Sequence, residues 1–333
     1  MQLTIYRERG AFDELRREWD SLLQRSVTNV LFLTWEWQST WWEAYDAGDL
    51  WLVTCRTDSG DLIAIAPWFI ENRKDERVLR TVGCVDVTDY VDIIVEPHHV
   101  DEVYRTLAQL LADHRAEYTR INLCNIQENS PTLATFPDQL RVQGFEVNVV
   151  LQEVCPVIQL PQTWDAYLEG LDKKQRHEIR RKMRRAEEEQ AVNYRVGADA
   201  DLDLEIEQFL ALMRSSQPEK EKFLENPRNE RFFRAVIQSM HARGWLQLSF
   251  LRINDRPCAA YCDFDYEGHI LVYNSGLDME ASAQLSAGIV LLSYDIQHAI
   301  DTGRKVFDFL RGNETYKYRM GAVDTRVFML KAA

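Results

Sequence analysis

The sequence predicts a mixed α/β protein of two tandem domains, each a central mixed sheet flanked by helices. Three observations point there. Segments with apolar residues at helical spacing alternate along the chain with short strand-like apolar runs. At 333 residues and 46% hydrophobic content, the chain can fill two cores. The order aromatic helix, glycine, Trp-Leu strand, polar turn, apolar strand occurs twice, in "WWEAYDAGDLWLVTCRTDSGDLIAIA" and "FFRAVIQSMHARGWLQLSFLRINDRPCAAY". Duplication and a chance recurrence of a common order explain that repeat equally well.

The elements follow in order. "AFDELRREWDSLLQRS" sets Phe12, Leu15, Trp19 and Leu22 on one helical face, and "TWEWQSTWWEAYDAG" does the same with Trp37, Trp41 and Tyr45 before Gly48. Two apolar runs around Asp58-Ser59-Gly60-Asp61 read as a hairpin, which "VLRTVG" extends to a meander. "TDYVDIIVEP" reads as a strand, "VDEVYRTLAQLLADHRAEY" as a helix entered at His98-His99, "TRINLCNI" as a strand and "TLATFPDQLRVQGF" as a helix. Strands "EVNVVLQ" and "CPVIQL" close the first domain, residues 1–160. The second, residues 161–333, opens with helices "WDAYLEGLDKKQRHEIRRKMRRAEEEQ", "DLEIEQFLALMRSSQ" and "NERFFRAVIQSMHARG". A three-strand meander follows, then helix "SAGIVLLSYDIQHAIDTG" and strands "KVFDFLRG" and "TRVFML".

Composition excludes several classes. With 39 basic against 53 acidic residues, the net charge of -14 argues against generic binding to DNA or anionic membranes. The N-terminus "MQLTIYRERG" has no apolar signal core, and no apolar run nears the ~18 residues of a membrane span. The six cysteines sit at scattered strand-like positions without a CxxC, and the histidines form no ligand spacing with them. Buried free thiols, a cytoplasmic location and no metal are the expectations.

Two stretches carry chemistry. In "GLDMEASAQLSAGIVLLSYDI", small residues (Ser282, Ala283, Ser286, Ala287, Gly288) stand where a helix begins. Unpaired N–H groups and a partial positive charge there suit a pyrophosphate; an ordinary helix capped by Ser286 fits the same residues. Along "KKQRHEIRRKMRRAEEE", Lys173, Arg176, Arg180 and Arg184 form a basic stripe beside an apolar stripe of Ile179, Met183 and Ala186. That stripe is either a solvated face or a landing site for an anionic substrate.

Together with "DYVDIIV", "YNSGLD" and "FDFLRGNETYKYRMG", these stretches resemble the GNAT-type acetyltransferases. The resemblance is narrower still to the double-domain group of Fem-type peptidyltransferases and CelD-like proteins. It runs from about Leu31 to Leu330 and is strongest from Lys173 onward. It implies two tandem GNAT-like domains, a degenerate acceptor-side one and a C-terminal one with the acyl-donor site. The family's pyrophosphate loop falls on Gln284, Leu285, Ser286, Ala287, Gly288 and Ile289, with Ala287 where the family has its first glycine and Gly288 shifted by one. The implied donor is acetyl-CoA or another acyl-CoA. The Fem-type alternative is an aminoacyl-tRNA, and a third reading is a silent GNAT-fold binding protein. The implied acceptor is a small molecule or a sugar-linked cell-envelope precursor.

Acyl transfer needs a donor to the developing oxyanion, a base for the nucleophile and an acid for the leaving thiolate. Direct attack suits a chain without Gly-x-Ser-x-Gly. Asp308 is the expected base or orienter, and one of Tyr316 and Tyr318 the expected acid. Arg311 and Lys317 are expected to hold an acceptor anion, Arg176 and Arg180 the donor or acceptor phosphates, and Tyr90 and Asp92 to line the acceptor side. Each has a bland counterpart: a strand aspartate tied to an arginine, an aromatic cap over the sheet, solvated charges.

Overall fold

The computed structural model describes residues 1–84, 87–280 and 285–333. The chain forms two compact units, Met1–Val154 with Thr325–Ala333, and Cys155–Asp324.

In the first unit β1 (Gln2–Tyr6) leads into α1 (Gly10–Arg25) and α2 (Trp35–Tyr45). Thr34 caps α2 by accepting the Trp37 N–H on its side chain. The antiparallel meander β2 (Asp49–Arg56), β3 (Leu62–Arg73) and β4 (Glu76–Thr81) follows. The two-residue β5 (Ile94–Val95) pairs with β3. Then come α3 (Val100–Asp113), β6 (Arg120–Gln127) parallel to β4, α4 (Pro131–Val142) and β7 (Val147–Gln159), within which the division of the units falls. The core stacks Trp51 on Trp68 at 6.1 Å, with Tyr104, Leu107, Ile121 and Phe136 around them.

The second unit opens with α5 (Trp164–Gly170), α6 (Lys173–Glu188) and β8 (Val192–Arg195). One long helix was expected over α5 and α6. The chain breaks because Asp172 turns its carboxylate onto the Lys174 and Gln175 N–H groups and starts a second helix. Next are α7 (Leu202–Ser216), α8 (Pro218–Leu224), α9 (Pro227–Ala242) and the meander β9 (Leu246–Ile253), β10 (Arg256–Tyr266), β11 (His269–Leu277). The unit continues with α10 (Ala287–Asp301), β12 (Val306–Asp308) parallel to β11, and α11 (Thr315–Arg319). The final strand β13 (Val323–Ala332) pairs antiparallel with β6 of the first unit's sheet.

From β1 in the first unit and from β8 in the second, the order is strand, helices, three-strand meander, helix, and a strand parallel to the last meander strand. The faint sequence repeat is a shared topology. The second core gathers Ile158, Tyr167, Ile179, Leu291, Ile296 and Phe307 under α10.

Three expectations need correction. "TDYVDIIVEP" is a strand only at Ile94–Val95, because Asp92 takes the Ile93 N–H on its own carboxylate and the backbone leaves the ladder. "KVFDFLRG" is a strand only at Val306–Asp308, for a parallel reason given below. Of the cysteines, Cys84 and Cys124 form a disulfide, which the parallel pairing of β4 with β6 brings within a 5.9 Å Cα separation. Cys55, Cys155, Cys258 and Cys262 are free and buried. Among the described residues, no helix is long and apolar enough to cross a membrane.

Candidate active site

β11 is the organising strand. It pairs with β12 only from His269↔Val306 to Leu271↔Asp308, then runs on to Leu277. Against β10 its register jumps from Asp263↔Val272 to Cys262↔Asn274, so Tyr273 is an extra, bulged residue. Beyond the bulge Ser275 is held by side chains: Asn274 Oδ1 accepts its N–H at 2.8 Å, and its carbonyl accepts Lys220 Nζ from α8. Gly276 lets α7 close in, since a Cβ there would lie 2.6 Å from Met213 N.

α10 begins beside the end of β11. Ser286 stands at its N-cap with left-handed φ of 55°, and its side chain makes no capping hydrogen bond. Its carbonyl accepts the Ile289 and Val290 N–H groups. Ala287 and Gly288 are buried, and a Cβ on Gly288 would lie 3.0 Å from Leu277 Cδ2. A side chain at 288 would therefore press on the end of the Leu277 side chain, so close packing of α10 on β11 favours the glycine. Leu285 lines a separate cavity of about 430 Å³ with Arg185, Arg256 and Asp278. Gln284, with Ser282 and Ala283, lies outside the described residues.

A cavity of about 240 Å³ joins α6, the first turn of α10 and α11. α6 contributes Lys174, Glu178 and Lys182, α10 contributes Ile289, and α11 contributes Tyr316 and Arg319. Burial holds the Lys182 ammonium below the ordinary lysine range, against the pull of Glu178. Burial drives the Tyr316 phenol well above the tyrosine range, with the Glu314 and Asp263 carboxylates adding to it. Tyr316 meets the Phe309 ring edge to face at 6.0 Å.

The sequence-derived residues disperse around this site. Of the expected tyrosines only Tyr316 reaches the cavity; Tyr318 is 38% exposed and donates to Asp324 Oδ1 at 2.8 Å. Asp308 is buried and accepts the Leu310 N–H at 2.8 Å, fixing Leu310 at a left-handed φ of 56° and ending β12. Lys317 is no exposed anion binder. It is 3% exposed, and its ammonium donates to the carbonyls of Leu310, Arg311 and Gly312 and pairs with Glu314. Arg311 enters that knot through its carbonyl.

Arg176 and Arg180 lie on other faces of α6 than the one lining the cavity, where Lys174, Glu178 and Lys182 stand at four-residue spacing. Arg180 approaches Asp165 at 4.0 Å on the surface. Sequence reading chose the stripe two residues along, more than half a turn round the helix, and did not name Lys174, Lys182 or Arg319. The i, i+4, i+8 spacing of Lys174, Glu178 and Lys182 was its available signal.

Tyr90 and Asp92 are buried in the first unit. Tyr90 packs edge to face on Phe32 at 5.8 Å. Asp92 accepts the Thr132 hydroxyl, itself 2.8 Å from Tyr104 Oη, and burial pushes its carboxyl up to about 6.

A second polar cluster lies beneath α10. Asp295 accepts Arg195 at 3.0 Å and Ser249 at 2.8 Å, and burial outweighs both to push it up to about 6. Asp263 is fully buried, its carboxyl oxygens have no hydrogen-bond partner among the described residues, and burial together with Asp295 holds it well above the carboxylate range.

A bulged meander strand splaying from its parallel neighbour, beside a helix start whose N-cap Ser286 side chain makes no capping bond, is the arrangement of an acyltransferase-type fold. Residues 173–318 match the family model of the acetyltransferase (GNAT) domain. That match lies within the second unit and spans most of it. The structure of FemX aligns with 99% of this chain and 97% of its own at a TM-score of 0.67 and 10% identity. A conserved protein of unknown function from Bacteroides thetaiotaomicron aligns over 99% of both chains, with TM-score 0.59 and 12% identity. L-PGS from Bacillus licheniformis aligns over 94% of this chain and 90% of its own, with TM-score 0.57 and 11% identity. These likenesses show a shared fold. No curated protein matches the sequence.

Proposed function

We propose that the chain moves an acyl group from an acyl-CoA thioester to an amine or hydroxyl of a small or sugar-linked acceptor. Attack is direct, with no covalent enzyme intermediate. The observation that carries this reading is the start of α10, where the Ser286 side chain makes no capping hydrogen bond, beside a cavity bearing Lys174, Lys182 and Arg319. A helix start and three cations are what a pyrophosphate requires. The residues present thus fit a CoA-type donor.

In this reading the first turn of α10, Lys182 and Arg319 hold the donor phosphates. The Ser275 N–H, on the stretch of β11 that extends beyond its pairing with β12, turns from Asn274 to the thioester oxygen as negative charge develops there. Tyr316, kept protonated by its surroundings, gives its proton to the departing thiolate. Calorimetric titration with acetyl-CoA, with CoA as control, tests the donor. Micromolar binding of acetyl-CoA supports the reading, and no binding of either overturns it.

An aminoacyl-tRNA donor is the second reading. The exposed Lys173, Arg180 and Arg184 on α6 favour it. It predicts tRNA binding that weakens steeply with salt, measured in the same titration series.

A further inference from the structure

Of the side chains expected to serve as base, Asp308 is engaged with the backbone at Leu310. A nucleophile arriving at the open stretch of β11 needs another group to take its proton. Lys220 reaches that stretch from α8. Its ammonium nitrogen donates to the Ser275 carbonyl and lies 3.3 Å from Ser275 Oγ. Among the described residues those two oxygens are its hydrogen-bond partners. Glu314, which pairs with Lys317 at 2.9 Å, acts on Lys220 and also on Tyr316. Lys220 thus touches Ser275 and lies within electrostatic reach of Glu314, as Tyr316 does.

We propose that Lys220 is the proton acceptor for the incoming nucleophile, and that the acceptor class is a primary amine arriving as its ammonium ion. The proposal rests on the acyl-transfer reading. Half-burial lowers the Lys220 side chain to about 8, against the opposing pull of Glu314. α8 packs on α7 and α9, which bring Arg214 and Glu230 joined to each other at 2.7 Å, and β11 brings no charge between Tyr273 and Leu277. A lysine in this range exchanges protons near neutral pH, where an ordinary one stays an ammonium ion.

The step balances as follows. The substrate ammonium gives one proton to neutral Lys220 and becomes an amine. Its lone pair forms the N–C bond to the acyl carbon while the carbonyl π pair moves to oxygen. When the carbonyl re-forms, the C–S bond breaks with its pair on sulfur. The nitrogen's second proton passes to the thiolate through Tyr316, and Lys220 releases its proton to water. The products are the amide, free CoA and one proton.

The test compares two probe amines in the full-length chain with acetyl-CoA as donor: benzylamine, protonated at neutral pH, and methoxyamine, neutral there. Lys220→Met is expected to slow turnover of benzylamine about 100-fold and that of methoxyamine less than threefold. Lys220→Arg keeps the charge and cannot release a proton, so it should match Lys220→Met. In the wild type, trace acetic-anhydride labelling read by mass spectrometry should titrate Lys220 near pH 8, below the other lysines. Equal losses with both amines, or a labelling midpoint in the ordinary lysine range, overturns the proposal. Calorimetry on the same preparations separates the two ideas. Acetyl-CoA binding that survives while the amine comparison fails condemns Lys220 alone, and a wild-type protein that binds no acetyl-CoA condemns the donor reading and this proposal with it.

Discussion

Lys317 Nζ lies 2.9 Å from Glu314 Oε2, and the rest of its donors turn inward to the carbonyls of Leu310, Arg311 and Gly312. The polar crowd at the exit of β12 is thus partly a knot that fixes the chain between Asp308 and α11. Gly312, at a left-handed φ of 110°, leaves room for it, since a Cβ there would meet Glu314 Oε2 at 2.6 Å. Replacing Lys317 with Met orphans buried carbonyls and should cost about 3 kcal/mol. Urea unfolding measures this as a lower midpoint at unchanged slope. A loss below about 0.5 kcal/mol would mean that water already serves those carbonyls.

Gly276 gives a second stability prediction. A methyl group there would stand 2.6 Å from Met213 N, a backbone atom that moves only if α7 moves. Gly276→Ala should destabilise by roughly 1–3 kcal/mol. Gly170, whose Cβ would meet nothing within 4 Å, is the control. Equal behaviour of the two alanine variants would refute the close approach of α7 to β11.

The buried carboxyls set a pH dependence. Asp92 titrates near 3.8 when unfolded and about 6 when folded, because burial outweighs its hydrogen bonds. Between those values the folded chain keeps a proton that the unfolded chain releases. Its contribution is therefore fullest below about 3.8 and is lost as pH rises through about 6. A shift of this size is on the order of 3 kcal/mol at neutral pH. Asp92→Asn keeps an acceptor for Ile93 and Thr132 without the charge, so it should gain on the wild type as pH rises from 4 to 7. Parallel stability curves for the two proteins would refute this. Asp295 and Asp263 shift in the same direction and steepen the wild-type slope.

Much of this fold was legible because its elements carry strong periodic patterns. Phe12, Leu15, Trp19 and Leu22 marked α1, and the turn at Asp58–Asp61 marked the first hairpin. What escaped was set by side chains acting on backbone: Asp172 splitting α5 from α6, Asp92 ending a strand early, Asp308 bending the chain at Leu310. The site was legible in outline only. The start of α10 and Tyr316 stand in stretches that pattern picks out, whereas the cavity-facing side of α6 lies two residues, more than half a turn, from the more strongly basic one. Lys220 and Asp263 gave no signal, since only tertiary burial changes their chemistry.

The two tyrosines of α11 should separate cleanly. Tyr316→Phe removes the phenol from the cavity and should lower kcat about 100-fold while acetyl-CoA affinity holds. Tyr318→Phe removes a surface contact with Asp324 and should change kcat less than twofold. Equal losses, or none in either variant, would remove Tyr316 from the acid role.

Lys182 supplies the sharpest test of where the donor lies. Burial lowers its affinity for a proton in the free chain, and an arriving pyrophosphate would restore it. Binding of acetyl-CoA should therefore take up protons at alkaline pH. Calorimetry in buffers of different ionisation enthalpy reads this directly, and Lys182→Gln should abolish the uptake. Lys182→Glu and Arg319→Glu should each weaken binding about tenfold, the equivalent of one charge-assisted phosphate contact. Arg180→Glu, on the outward face of α6, should stay within twofold at moderate salt, where screening damps a distant exposed charge. If Arg180→Glu were instead the damaging change, the donor would lie on the outer face of α6 and the cavity assignment would fall.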